Sequence, residues 1–86
     1  MVKVLIKKLN PEVEMPSYKT LGASGMDLMA IIDKPIKIAP NSSCLIPTGI
    51  SMAFSNEYEI QIRPRSGLAA KNSITVLNTP GTIDSD

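Results

Sequence analysis

No stretch of this chain keeps a helical apolar period for more than one turn. Short apolar or alternating runs recur instead, broken roughly every eight to twelve residues by turn chemistry and punctuated by seven prolines. Alternation over four to eight residues suits a half-buried strand. Strands are expected over Val2–Leu9, Asp27–Ile32, Ile36–Ile38, Ser43–Ile46, Gly49–Phe54, Tyr58–Arg63 and Ile74–Leu77, with a return strand beginning at Thr82–Asp84. Turns are expected at Asn10-Pro11, Leu21–Gly25, Asp33–Pro35, Ala39–Ser42, Pro47–Gly49, Ser55–Glu57 and Asn78–Gly81. Residues 12–20 read as an extended connection, and Leu68–Lys71 as one helical turn. Many short strands without helices make an all-β sandwich, barrel or jelly roll. The first run carries lysines on its wet face and offers an edge to another subunit.

Eighty-six residues make one small domain, spanning 1–86. A chain this short buries only about 60% of its unfolded surface. Disulfides cannot help, because Cys44 is the only cysteine. A lone thiol fits a reducing compartment, so a cytoplasmic location is expected. Cys44 sits in an apolar run and is expected to be buried, and the chain has no histidine to activate it. A net charge of +1 gives no basic field for nucleic acid, and three aromatics make no stacking platform. No apolar run reaches the length of a membrane span, and the N-terminus does not read as a signal peptide.

Three segments carry candidate chemistry. In Pro64-Arg-Ser-Gly67 a proline ends the preceding strand, then a guanidinium fork, a hydroxyl and a glycine follow in succession. Arg65 matches a phosphate, Ser66 adds a rotatable donor, and Gly67 lets backbone approach a ligand. The N–H groups of a starting helix would face the same anion. The same residues also make an ordinary turn with Arg65 on a wet surface. In Ala23–Leu28, Asp27 follows a glycine turn at a strand start, where a carboxylate can hold a metal's water shell or brace the turn. In Asn78–Asp86, an asparagine and a glycine bracket a tight hairpin whose backbone can pair with a flat heterocycle. Asp84 on its return strand can act as a general base, or be a solvated charge that discourages edge pairing.

Taken in order, Ala23-Ser-Gly-Met-Asp-Leu28, Pro64-Arg-Ser-Gly-Leu-Ala69 and Asn78–Asp86 resemble the first three motifs of the trimeric dUTPase family (deoxyuridine 5'-triphosphate nucleotidohydrolase, dUTP diphosphatase). The second motif matches nearly letter for letter. The resemblance implies a jelly-roll or β-clip barrel, a homotrimer, Mg²⁺, and hydrolysis of dUTP to dUMP and diphosphate. That reaction limits uracil in DNA and supplies dUMP for thymidylate synthesis. Residue by residue, it implies that Asp84 activates the attacking water and that Arg65, Ser66 and Gly67 hold the phosphates. Asn78 and the hairpin backbone would read uracil, Thr82 and Ile83 would line the deoxyribose, and Asp27 would touch the metal through water. The family's third motif continues into a tyrosine beyond Asp86, and its fourth and fifth motifs have no counterpart here. The barrel is therefore expected to be incomplete at the C-terminus, and the 86 residues alone weakly active or inactive.

Two other readings stand beside this one. A deoxycytidine triphosphate deaminase would share the fold, but that family tends to a second serine where Gly67 stands and to proline-glycine where Ser85-Asp86 stand. A catalytically silent nucleotide-binding or interaction module would keep the phosphate trap without turnover.

Overall fold

The structure, a computed structural model, describes residues 2–86. It contains four strands and one helix among those residues: β1 (Val4–Lys8), β2 (Ile50–Phe54), β3 (Ile60–Ile62), α1 (Ser66–Asn72) and β4 (Gly81–Ile83). β1 pairs with β2 in one two-stranded sheet, and β3 pairs with β4 in another. In β2 the alternation is clean: Ile50, Met52 and Phe54 are half-buried while Ser51 and Ala53 face solvent. The chain divides into two units. One holds Ala53–Asp86 with the chain start through Leu5, and the other holds Ile6–Met52.

Within the unit Ile6–Met52, packing centres on the arch Pro47–Gly49. The Leu9 N–H donates to the Gly49 carbonyl at 2.7 Å, and the Ile31 N–H to the Pro47 carbonyl at 2.9 Å. Asn10 ends β1 because its side chain accepts from the Glu12 N–H at 2.8 Å, while its carbonyl accepts from Val13 at 3.1 Å. That turn delivers Val13 into the arch, where it is 7% exposed and is the one buried apolar side chain among the described residues. Gly49 lies at φ +72, a left-handed conformation that costs an L side chain about 1–2 kcal/mol.

Within the unit that contains Ala53–Asp86, β3 and β4 run antiparallel with Ile60 opposite Ile83, Gln61 opposite Thr82 and Ile62 opposite Gly81. The turn at Ser55–Glu57 delivers β3: the Tyr58 N–H donates to the Ser55 carbonyl at 3.1 Å and the Glu57 N–H to Ser55 Oγ at 3.3 Å. Pro64 has no N–H to extend the ladder, and the chain passes into α1. α1 is seven residues long, where a single turn over Leu68–Lys71 was expected. It closes at Ser73, whose N–H makes the last i→i−4 bond to the Ala69 carbonyl at 3.1 Å and whose left-handed backbone (φ 57) turns the Ile74 N–H back onto the Leu68 carbonyl at 3.3 Å.

Four expected strands do not form. Residues 27–32, 36–38, 43–46 and 74–77 lie outside any ladder. Their composition suits a pleated surface, but a strand exists only through a partner, and these runs find none among the described residues. Cys44, expected to be buried, is exposed for that reason. Leu45 beside it is 99% exposed. Ile74–Leu77 does not form a hairpin with the return strand, which takes β3 as its neighbour instead. β1 pairs with β2 of its own chain on one side, and its other edge has no strand beside it among the described residues.

The chain exposes 7563 Å² of surface, whereas a folded monomer of this length exposes roughly 4,900 Å². Leu28, Met29, Ile32, Ile36 and Ile38 all stand exposed. Apolar burial is the main force that offsets chain entropy. Val13 is the one apolar side chain among the described residues that the chain itself buries.

Candidate functional site

Arg65 occupies the N-cap of α1, with extended backbone (φ −72, ψ 124) and no side-chain cap bond. This position favours Ser, Thr, Asp or Asn, whose oxygens accept from the first helical N–H groups. A guanidinium has no acceptor and cannot do that work. The helix therefore gives no reason for an arginine there. Its first turn also carries no acidic residue. Ser66 and Gly67 follow as the first two helical residues, and both are exposed.

Gly67 is informative in the same way. A Cβ added there would meet nothing within 4 Å, and the backbone does not lie in the left-handed region. Glycine in a helix costs about 1 kcal/mol relative to alanine. The fold of this chain neither needs nor rewards glycine at this position.

Asn78 turns the chain into β4 and packs over Gly81. A Cβ on Gly81 would lie 3.8 Å from Asn78 Nδ2 and 3.5 Å from Ile62 Cβ, and Gly81 is buried. Because Gly81 faces Ile62, the Asn78 turn sits at the end of β3 from which Arg63–Gly67 departs. The segment that carries Arg65, Ser66 and Gly67 thus leaves the β3–β4 ladder at the end where Asn78 sits. Thr82 is exposed and Ile83 half-buried on β4. Asp84 lies one residue past β4, at the opposite end of the ladder, and is exposed. At a strand rise of about 3.3 Å per residue, its backbone and that of Arg65 are roughly 15–20 Å apart along the ladder. Asp27 is half-buried in the other unit.

Three residues that motif spacing does not single out are joined along β3 and its two flanking positions. Gln61 Nε2 donates to Glu59 Oε2 at 3.1 Å, and Arg63 Nη2 donates to Gln61 Oε1 at 3.1 Å. Two-residue alternation is the signal that finds them, since it puts Glu59, Gln61 and Arg63 on one face. Elsewhere, an open cavity of about 440 Å³ is lined by Tyr18, Lys19, Thr20, Leu21 and Ala23. No helix among the described residues is long and apolar enough to cross a membrane.

A family model described as dUTPase matches residues 11–86. The chain belongs to the dUTPase family. A deoxyuridine 5'-triphosphate nucleotidohydrolase of Treponema denticola is 56% identical over 79 residues, covering 92% of this chain and 55% of that protein. A protein of the same name from Chlamydia pneumoniae is 59% identical over 73 residues, covering 85% of this chain and 50% of its own length. One from Fusobacterium nucleatum is 52% identical over 87 residues, covering 100% and 60%. The chain spans about half the length of the curated relatives it matches. The dUTPase fold is an all-β jelly roll, and the short strands of this chain, with α1 as its one helix among the described residues, are of that class.

Proposed function

We propose that the full gene product hydrolyses dUTP to dUMP and diphosphate in the cytoplasm, limiting uracil in DNA and supplying dUMP for thymidylate synthesis. One observation carries this reading. Arg65, Ser66 and Gly67 open α1 together, with no helix-capping bond from Arg65 and open space beside Gly67, within the segment that matches the dUTPase family. Arg65 would bind the phosphate chain through its fork, with Ser66 Oγ and the Gly67 backbone beside it. Asn78 and the turn backbone would pair with the edge of uracil, and Thr82 and Ile83 would line the sugar. Asp84 would take a proton from water as its oxygen bonds to the α-phosphorus and the bridge to the β-phosphate breaks. A positioned base of this kind contributes about 10²–10⁴-fold.

The donor set fits a hard divalent cation held chiefly by substrate. Among the described residues no three of His, Cys, Asp or Glu stand together as a metal cage. Mg²⁺ commonly takes one or two carboxylates and fills its shell with phosphate oxygens and water. Asp27 would contact it through water, and the ion would supply charge neutralisation on the phosphates. The working form would be a homotrimer with 1–86 as part of one jelly-roll domain. Exposed apolar runs on the chain and the separation of Asp84 from Arg65 both favour an assembly.

The test is product analysis with the full gene product and Mg²⁺. Release of diphosphate from dUTP, without ammonia from dCTP, is the expected result. Ammonia release would make the chain a deaminase, and binding of a non-hydrolysable dUTP analogue without turnover would make it a silent module.

Gly67→Ala separates fold from function at this site. Helix propensity gains up to about 1 kcal/mol, so thermal stability should hold or rise. Affinity for the dUTP analogue should fall about tenfold, because a methyl group stands where a phosphate approaches the backbone. Titration calorimetry with parallel melting curves checks both, and unchanged affinity would remove Gly67 from the phosphate site.

A further inference from the structure

We propose that Ile62 is a positioning residue for base recognition, acting on Asn78 across the room that Gly81 leaves open; this rests on the nucleotide reading above and extends it to the choice between uracil and cytosine. The β3–β4 register puts Ile62 opposite Gly81 and Ile60 opposite Ile83. Cross-strand partners share a face, as do residues two apart. Ile60, Ile62, Gly81 and Ile83 therefore form the more buried side of the ladder, and Gln61 and Thr82 its exposed side. The Asn78 side chain reaches the more buried side. Its Nδ2 lies 3.8 Å from the point where a Gly81 Cβ would stand, and Ile62 Cβ lies 3.5 Å from the same point. Residue 81 has no side chain, so the room its Cβ would take lies between Ile62 and the Asn78 amide.

The Asn78 amide needs a wall on that side. Asn78 is exposed, and no hydrogen bond holds its side chain among the described residues. The last torsion of asparagine is broad, so an amide without such a bond takes its orientation from what it packs against. A hydrogen bond to a base edge weakens steeply as its angle bends. Uracil offers a carbonyl oxygen where cytosine offers an amine. An amide held in one orientation tells the two apart, and one that tips away loses the preferred base. Ile62 suits the wall because its branched Cβ restricts its own rotamers. Trimming it to alanine opens the room over Gly81, into which the amide can turn.

The experiment titrates the full gene product with a non-hydrolysable dUTP analogue and its cytosine counterpart, with Asn78→Ala as the reference. The readout is the ratio of the two affinities. Ile62→Ala should cut that preference for uracil about fivefold. Ile62→Leu keeps the volume but loses the branch at Cβ, and should cut it in the same direction. Ile62→Val keeps the branch and should stay within about twofold of wild type. Ile60→Ala removes the same atoms one pair further from Asn78, so it should lower the melting temperature similarly and leave the ratio unchanged. Action through Asn78 also demands non-additivity: in an Asn78→Ala background, Ile62→Ala should lower the ratio no further. A ratio within about twofold of wild type in both Ile62→Ala and Ile62→Leu, an equal drop in Ile60→Ala, or a full further loss in the double variant overturns the proposal. If Asn78→Ala collapses the ratio while the Ile62 variants do not, only the positioning role is wrong. If wild type binds neither analogue, or Asn78→Ala leaves the ratio unchanged, the base reading itself is wrong and the proposal falls with it.

Discussion

Co-expressed full-length subunits, half carrying Asp84→Asn and half Arg65→Ala, will recover about a quarter of wild-type turnover although each variant is nearly inactive by itself. Asp84→Asn keeps the shape of the side chain and removes the base, so kcat should drop about 10²–10⁴-fold with analogue affinity nearly intact. Arg65→Ala removes charge stabilisation at the phosphates and should cost about 10²-fold or more. Recovery in the mixture follows from the β3–β4 register. Arg65 and Asp84 lie at opposite ends of one ladder, because β4 runs antiparallel to β3 with Ile62 against Gly81 and Ile60 against Ile83. A site that unites the two groups closes most simply when the Asp84 end of one copy meets the Arg65 end of another. Random mixing then gives one site in about four with both groups native. Differently tagged subunits that co-purify establish that mixing occurred. Co-purification without recovered turnover would place both groups of each site in a single copy, and the trimer argument would fall.

That register was not legible in the sequence. Tyr58–Arg63 alternates plainly, and Ile60–Ile62 is a strand as expected. What the residues do not encode locally is which strand they meet. Ile74–Leu77 is as apolar and β-branched as β4, yet only β4 finds a ladder, because pairing is decided by tertiary neighbours. The same reason leaves 27–32, 36–38 and 43–46 outside any ladder despite favourable composition. Turn chemistry travelled better. Asn10-Pro11, Ala39–Ser42 and Ser55–Glu57 all turn where local hydrogen bonding predicts, with Ser42 Oγ and its N–H both donating to the Ala39 carbonyl. The Pro64–Gly67 segment was legible as candidate chemistry because a guanidinium, a hydroxyl and a glycine follow one another there, although the same residues also suit an ordinary turn. Its meaning sharpened only when Arg65 proved to be an N-cap that cannot cap.

Gly49→Ala will lower the melting temperature of the full gene product by roughly 10 °C or more, the largest stability effect expected from a single methyl group in this chain. The sequence marks Pro47–Gly49 as a break, but its role as a packing centre is visible only in the fold. An added Cβ would lie 2.6 Å from Val13 Cγ2 and 2.8 Å from Ile31 Cγ2, while the backbone sits at φ +72. Overpacking costs about 1–3 kcal/mol, and left-handed backbone adds about 1–2 kcal/mol. Relief by backbone shift is blocked on both sides, since Leu9 and Ile31 hold the arch through bonds of 2.7 and 2.9 Å. Gly22→Ala is the matched control: nothing lies within 4 Å of its added Cβ, and its effect should stay within about 0.5 kcal/mol. A double variant locates the clash. Val13→Ala is destabilising by itself, because it empties the one buried apolar position among the described residues. It also removes the atom nearest the new methyl. Gly49→Ala with Val13→Ala should therefore lose less than the sum of the single losses, by about 1 kcal/mol or more. Strict additivity would mean that the cost of alanine at 49 is all in the backbone, and that Val13 does not pack against it.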